Sequence, residues 1–130
     1  MKRPAPKADT DLLLTTQIAA AISIAAFLYF LRQDQIALFG DAVAHMNIAR
    51  RVIDSRTPGP LQLGTVWLPL PHLLMLPFVA FRWLWQTGIG GSFPSMLAYV
   101  FSVLGIFKLV RTVLPDPADS LVRAAVRFTA

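Results

Sequence analysis

The sequence predicts an all-α protein of multi-pass transmembrane helices, with an interfacial amphipathic helix in the first extracytoplasmic loop. Three observations carry that expectation. Hydrophobic residues make up 55% of the 130-residue chain and charged residues 15%, against about 25% charged in soluble domains. Apolar runs long enough to cross a bilayer lie on both sides of a polar stretch from Gly40 to His72. That stretch holds both histidines, Asp41, Asp54, Arg50, Arg51 and Arg56, so any chemistry concentrates there.

The totals also exclude. A net charge of +5 invites a nucleic-acid reading, but the basic residues sit at the chain ends and between the apolar runs. No basic stripe interleaved with aromatics is present, and membrane flanking accounts for the charge better. The absence of cysteine removes disulfides, thiolate metal sites and a cysteine nucleophile. With no glutamate either, carboxylate chemistry falls to Asp9, Asp11, Asp34, Asp41, Asp54, Asp116 or Asp119.

In chain order, residues 1–11 read as a polar cytoplasmic tail containing two prolines. Residues 12–31 are a first span; at 1.5 Å per residue they reach about 30 Å, the thickness of the hydrocarbon core. No small-x-small cleavage site follows Leu31, so the run is not a signal peptide. Residues 32–65 form the loop. Within it, 41–54 is an amphipathic helix opened by Asp41 as N-cap and ended by Pro58, Gly59 and Pro60. Asn47, Arg50, Arg51 and Asp54 share one polar arc, and Ala42, Met46, Ala49 and Ile53 lie roughly opposite. Asp41 and His45 fall one turn apart, at the margin of the apolar side.

Residues 66–85 read as the second span, with Trp67 and Trp83 about 24 Å apart along a helix, as two interfacial belts would be. Pro77 kinks its middle. Residues 86–92 are a turn and 93–114 the third span, whose Lys108 and Arg111 snorkel near its end. Residues 115–130 are a loop and the start of a further helix. Lys2, Arg3 and Lys7 favour a cytoplasmic N-terminus, which leaves Arg32, Arg50, Arg51 and Arg56 outside, against the positive-inside tendency. Arginines held by an anionic ligand escape that tendency.

Each polar candidate has a structural reading beside its functional one. Asp41 either caps its helix or acts as a general base toward a hydroxyl. His45 bonds Asp41, binds an acceptor or joins a metal site. His72 either bonds a neighbouring span or joins the same site. Two histidines and one carboxylate, with no third ligand at a recognisable spacing, do not support a divalent metal. Arg50, Arg51 and Arg56 either pair with Asp54 on a solvated face or fork around a phosphate. Gly88-Ile89-Gly90-Gly91 lacks the lysine of a phosphate loop.

The order of first span, then GDAVAHMNIARRVIDS, then PGPLQLGTVWLPLPHLLMLPF leading into a second span resembles the GT-C superfamily of integral-membrane glycosyltransferases. The similarity is to the branch of bacterial protein-mannosyltransferase and aminoarabinose-transferase relatives. The resemblance implies an enzyme of the bacterial inner membrane. It would move a sugar from a polyprenyl-phosphate-linked donor in the membrane lipid to an acceptor hydroxyl, with inversion. Asp41 would be the catalytic base, made more basic by desolvation at its helix flank, and His45, Arg50, Arg51, Arg56 and His72 would bind substrates. Many relatives carry a second acidic residue after the aspartate, where this chain has Ala42. The family has many more spans, so the resemblance also implies an N-terminal portion, inactive alone. The alternatives are a small non-enzymatic membrane subunit or a transporter fragment, and against the latter no charged residue lies mid-span.

Overall fold

A computed structural model describes residues 7–63 and 67–114. The expected tail over 1–6, the loop and helix start over 115–130, and Val66 at the start of the expected second span lie outside the described residues. The described residues are helical, without strands, in five helices: α1 (Lys7–Arg32), α2 (Gly40–Arg51), α3 (Pro69–Val79), α4 (Arg82–Gln86) and α5 (Ile89–Val113). A single 3-10 turn, Pro60–Leu63, follows α2.

α1 and α5 are the long apolar elements. Thr10–Arg32 and Ile89–Val113 are long and apolar enough to cross a membrane, and 11% and 6% of their most apolar windows are buried within the chain. Helix α1 starts earlier than expected, so residues 7–11 are helical rather than tail. Its threonines are satisfied locally: the Thr15 and Thr16 hydroxyls donate to the carbonyls of Asp11 and Leu12. Helix α1 ends in a Schellman motif in which Gln35 N–H bonds Phe30 O and Asp34 N–H bonds Leu31 O, with Asp34 left-handed at φ 53°. Aspartate is one of the few non-glycine residues that adopts this conformation readily. α5 runs antiparallel to α1. Arg111 reaches Asp11 at 3.5 Å near one end, and the rings of Phe27 and Phe93 lie 6.4 Å apart near the other.

Between these two helices the chain builds a cap. The apolar run 66–85 is not one span: α3 covers 11 residues, about 16 Å, and stops at Val79. Pro69 and Pro71 fit its first turn, where N–H groups are unpaired in any helix. Pro77 removes an interior donor, the last turn tightens to Phe81 N–H on Phe78 O, and Phe81 turns extended before α4 begins. The Trp67 and Trp83 belt spacing therefore fails, because the helix between them is broken.

The break exposes carbonyls that Arg50 meets. Its Nη1 donates to Val79 O at 2.7 Å and Ala80 O at 2.9 Å, while its Nη2 pairs with Asp54 at 2.9 Å. The guanidinium also lies 5.4 Å from the Trp85 ring, and Trp85 Nε1 donates to Asn47 Oδ1. A cation at a helix C-terminus answers both the unpaired carbonyls and the dipole. Below this clasp the apolar face of α2 meets α3: Met46, Ala49, Met75 and Val79 form the core, with Leu76 and Trp85 packed against it.

α2 differs from expectation at both ends. It begins at Gly40 with Phe39 as its N-cap residue and no side-chain cap, so Asp41 sits in the first turn instead of capping it. It stops at Arg51, where Val52 and Ile53 N–H bond the carbonyls of Ala49 and Arg50, leaving Ile53 and Asp54 beyond its end.

α5 starts where the cap is tightest. Gly88 follows α4 with φ 78°, a left-handed helix stop, and a Cβ there would meet Ile36 Cγ2 at 3.0 Å. A Cβ on Gly90 would meet Leu84 O at 3.2 Å and Phe78 Cβ at 3.3 Å. The expected 86–92 turn is thus shorter, and its glycines are contact surfaces.

Two substitutions test this arrangement. Gly90→Ala is expected to destabilise by about 1–3 kcal/mol, because backbone and a short stem cannot move aside. Gly105→Ala, with nothing within 4 Å of its added Cβ, is expected to be neutral or slightly stabilising. Thermal unfolding of purified protein in detergent distinguishes the two. Arg50→Lys is expected to cost about 1.5–3 kcal/mol by the same measurement, since an ammonium does not reproduce the fork onto two carbonyls and a carboxylate.

Candidate functional site

The cap and the paired long helices enclose a cavity of about 760 Å³. α1 contributes Ile22, Ser23, Ala26, Phe27 and Phe30; α5 contributes Ser92, Ser95, Met96 and Tyr99. The loop before α2 adds Gln35, Ile36 and Phe39, and Asp41, His45 and Met46 close the α2 side. Most of this surface is hydrocarbon. Among the described residues Asp41 is its one carboxylate, and no lysine or arginine lines it.

Asp41 and His45 share a face because they are one turn apart on α2. His72 reaches them from α3, which packs along α2. His45 Nδ1 lies 2.9 Å from His72 Nε2, and His45 Nε2 lies 3.8 Å from Asp41 Oδ2. The second separation is an ion-pair distance, too long for a hydrogen bond. His72 is fully buried, whereas the Asp41 side chain is 61% exposed and that of His45 19%. Trp67 lies against His45, with ring centroids 4.7 Å apart.

The proton arrangement follows from the network. If His45 donated to His72, its Nε2 lone pair would face the carboxylate, and His72 would carry a buried Nδ1–H that closes no hydrogen bond. If His72 Nε2–H donates to His45 Nδ1, His45 presents Nε2–H toward Asp41. The group then left over is the buried His72 Nδ1, which has no hydrogen-bond partner, as a bare lone pair. An unpaired acceptor costs less than an unpaired donor, and N–H toward carboxylate is the attractive order. The chain therefore runs His72 to His45 to Asp41, with each donor facing outward toward the cavity. Metal-ligand geometry is a poorer fit, because the two ring nitrogens face each other, and no group of three potential ligands forms among the described residues.

His72 lies in α3, outside the two membrane-length helices. Burial pushes its imidazole below the ordinary value of 6.5, and neighbouring His45 pushes the same way. The backbone of Leu68 opposes them as the smallest of the three effects, without closing a hydrogen bond to Nδ1.

The residues singled out from the sequence separate into two groups. Asp41, His45 and His72 come together at the cavity. Arg50, Arg51 and Arg56 do not: Arg50 lies about 14 Å along α2 from Asp41 and is engaged in the clasp. Arg51 and Arg56 are exposed and form no ion pair with a described residue. The desolvation expected of Asp41 is absent, since its flank opens to the cavity mouth instead of packing on α3. Ser23, Gln35, Ser92, Ser95 and Tyr99 were missed as wall residues. Ser92, Ser95 and Tyr99 fall at one-face helical spacing, and Ser23, Phe27 and Phe30 do so on α1. That periodicity was a usable signal, but nothing in it says which wall faces which.

Comparison with models of known protein families, with curated proteins and with solved structures finds no match.

The buried pair makes stability depend on pH. Because the folded value of His72 is depressed, the unfolded chain binds more protons just below pH 6.5. Its contribution is complete above pH 6.5 and is lost as pH falls toward the folded value. The thermal midpoint is expected to drop between pH 7.5 and 5.5, and His72→Gln to reduce that drop. Equal pH slopes in the two proteins would refute the assignment.

Proposed function

We propose that this chain forms the acceptor-activating part of a multi-pass membrane glycosyltransferase. It transfers a sugar from a polyprenyl-phosphate-linked donor to a hydroxyl, with inversion. On this reading α1 and α5 cross the bacterial plasma membrane, and the cap lies at its extracytoplasmic face. One observation carries the proposal: Asp41, backed by His45 and His72, is the only carboxylate among the described residues on a largely apolar cavity between two helices of membrane-crossing length. The donor class comes from the resemblance of the sequence to GT-C transferases.

The chemistry is consistent with a single carboxylate. Asp41 takes the proton from the acceptor hydroxyl as that oxygen bonds the anomeric carbon. The bond from the anomeric carbon to the phosphate oxygen breaks, and the polyprenyl phosphate leaves with the electron pair. Phosphate leaves without being protonated, so the second carboxyl of a glycosidase is unnecessary. His45 Nε2 faces the carboxylate at 3.8 Å, and the exposure of Asp41 lets its acquired proton pass to water. Arg51 at the end of α2 and Arg56 in the loop beyond it are exposed, placed for an anionic surface or headgroup; Arg50 is committed to the clasp.

A second reading, a non-enzymatic membrane subunit, draws on the exposed apolar residues of α1 and α5, Leu13 and Phe101 among them. One experiment separates the two. In membranes containing the whole transferase, Asp41→Asn is expected to lower transfer from a radiolabelled polyprenyl-phosphate sugar by about 100- to 10,000-fold. Its expression and thermal midpoint should stay unchanged, as suits an exposed side chain. Transfer unaffected by the substitution would leave the subunit reading in possession.

A further inference from the structure

Among the described charged side chains, Asp41 alone reaches the cavity wall. Arg50 is held by the α3 carbonyls and Asp54, and Arg111 by Asp11. Arg32, Arg51, Arg56, Arg82 and Lys108 do not line the cavity. A phosphate seated beside Asp41 would meet a like charge with no lysine or arginine of the described residues to offset it. A neutral hydroxyl there would donate a charge-assisted hydrogen bond to the carboxylate. Behind that polar end the walls are apolar. Ile22, Ala26, Phe27 and Phe30 extend over about 12 Å of α1, faced by Met96 and Tyr99 of α5. The volume, about 760 Å³, falls within the range of about 300–1,000 Å³ that small-molecule sites occupy.

We propose that the cavity binds an amphipathic membrane lipid, its hydrocarbon chain between α1 and α5 and its uncharged, hydroxyl-bearing head against Asp41 and His45. The acceptor is then a lipid, and the phosphate-linked donor approaches from outside the cavity. Calling the lipid an acceptor rests on the reading of Asp41 as a base; the binding itself does not. The selectivity comes from the lone carboxylate, which accepts from a hydroxyl and repels a phosphate, while the apolar walls fit any chain.

The test uses the protein in phosphatidylcholine nanodiscs with a monoacylglycerol carrying a diazirine on its acyl chain, labelled sites being mapped by mass spectrometry. Labelling is expected on residues 22–30 of α1 and 92–99 of α5. Unlabelled monoacylglycerol should compete at least about tenfold better than lysophosphatidate of the same chain length. Asp41→Asn should shrink that preference, and Ala26→Trp should abolish the focused labelling by filling the space. If Ala26→Trp fails to fold, the headgroup preference of the unaltered protein decides. Labelling spread evenly over the outer faces of α1 and α5, or lysophosphatidate competing equally well, would overturn the proposal. Focused labelling without Asp41-dependent sugar transfer would uphold the lipid site and reject the transferase. Asp41-dependent transfer without focused labelling would do the reverse.

Discussion

A helix that stops inside apolar surroundings leaves carbonyls that need donors, and in this protein Arg50 supplies them. Helix α3 ends at Val79 and the chain turns extended at Phe81, leaving the carbonyls of Val79 and Ala80 without helical partners. One guanidinium reaches both, while Asp54 and the face of Trp85 hold it in place. Without a forked donor at that point, the break would be expensive in so apolar a segment. The clasp also ties the end of α2 to the end of α3, and so sets the contact in which Met46 and Ala49 meet Met75 and Val79.

The cavity follows from that packing. Because α3 is a short cap helix and not a span, the chain returns quickly to α5, whose first turn enters the cap on glycines. The close approach of Gly90 to Leu84 and of Gly91 to Met46 draws the start of α5 under α2. An apolar space lined by α1 and α5 lies below, and the first turn of α2 borders it. Asp41 and His45 are therefore brought to a hydrocarbon-lined site by contacts made elsewhere, at Arg50 and at the glycines.

The two histidines give this site a direction. A fully buried imidazole has one partner, His45, and that partner has one outward group, Asp41. Burial and the neighbouring His45 both lower the His72 imidazole from its ordinary value, and His45 in turn faces the carboxylate. The same burial that organises the chain makes it sensitive to acid, since a charged His72 there has lost its solvation. Structural and chemical roles are joined here: His72 packs α3 against α2 and sets the tautomer of the residue that faces Asp41.

The sequence by itself determined the helical class, the two long apolar helices within a few residues, and the amphipathic α2 with Met46 and Ala49 on its inner face. It also placed the Arg50–Asp54 pair and the adjacency of Asp41 and His45. Each of these depends on local spacing, which one turn of helix translates directly into position. Only the tertiary structure decided that 66–85 breaks, that Trp67 lies on His45, that His72 joins Asp41 while the three arginines do not, and that Ser92, Ser95 and Tyr99 line one cavity with Ser23. Those outcomes depend on which donor finds a freed carbonyl and on how closely two backbones can approach. Both are set between segments far apart in the chain, where periodicity carries no information.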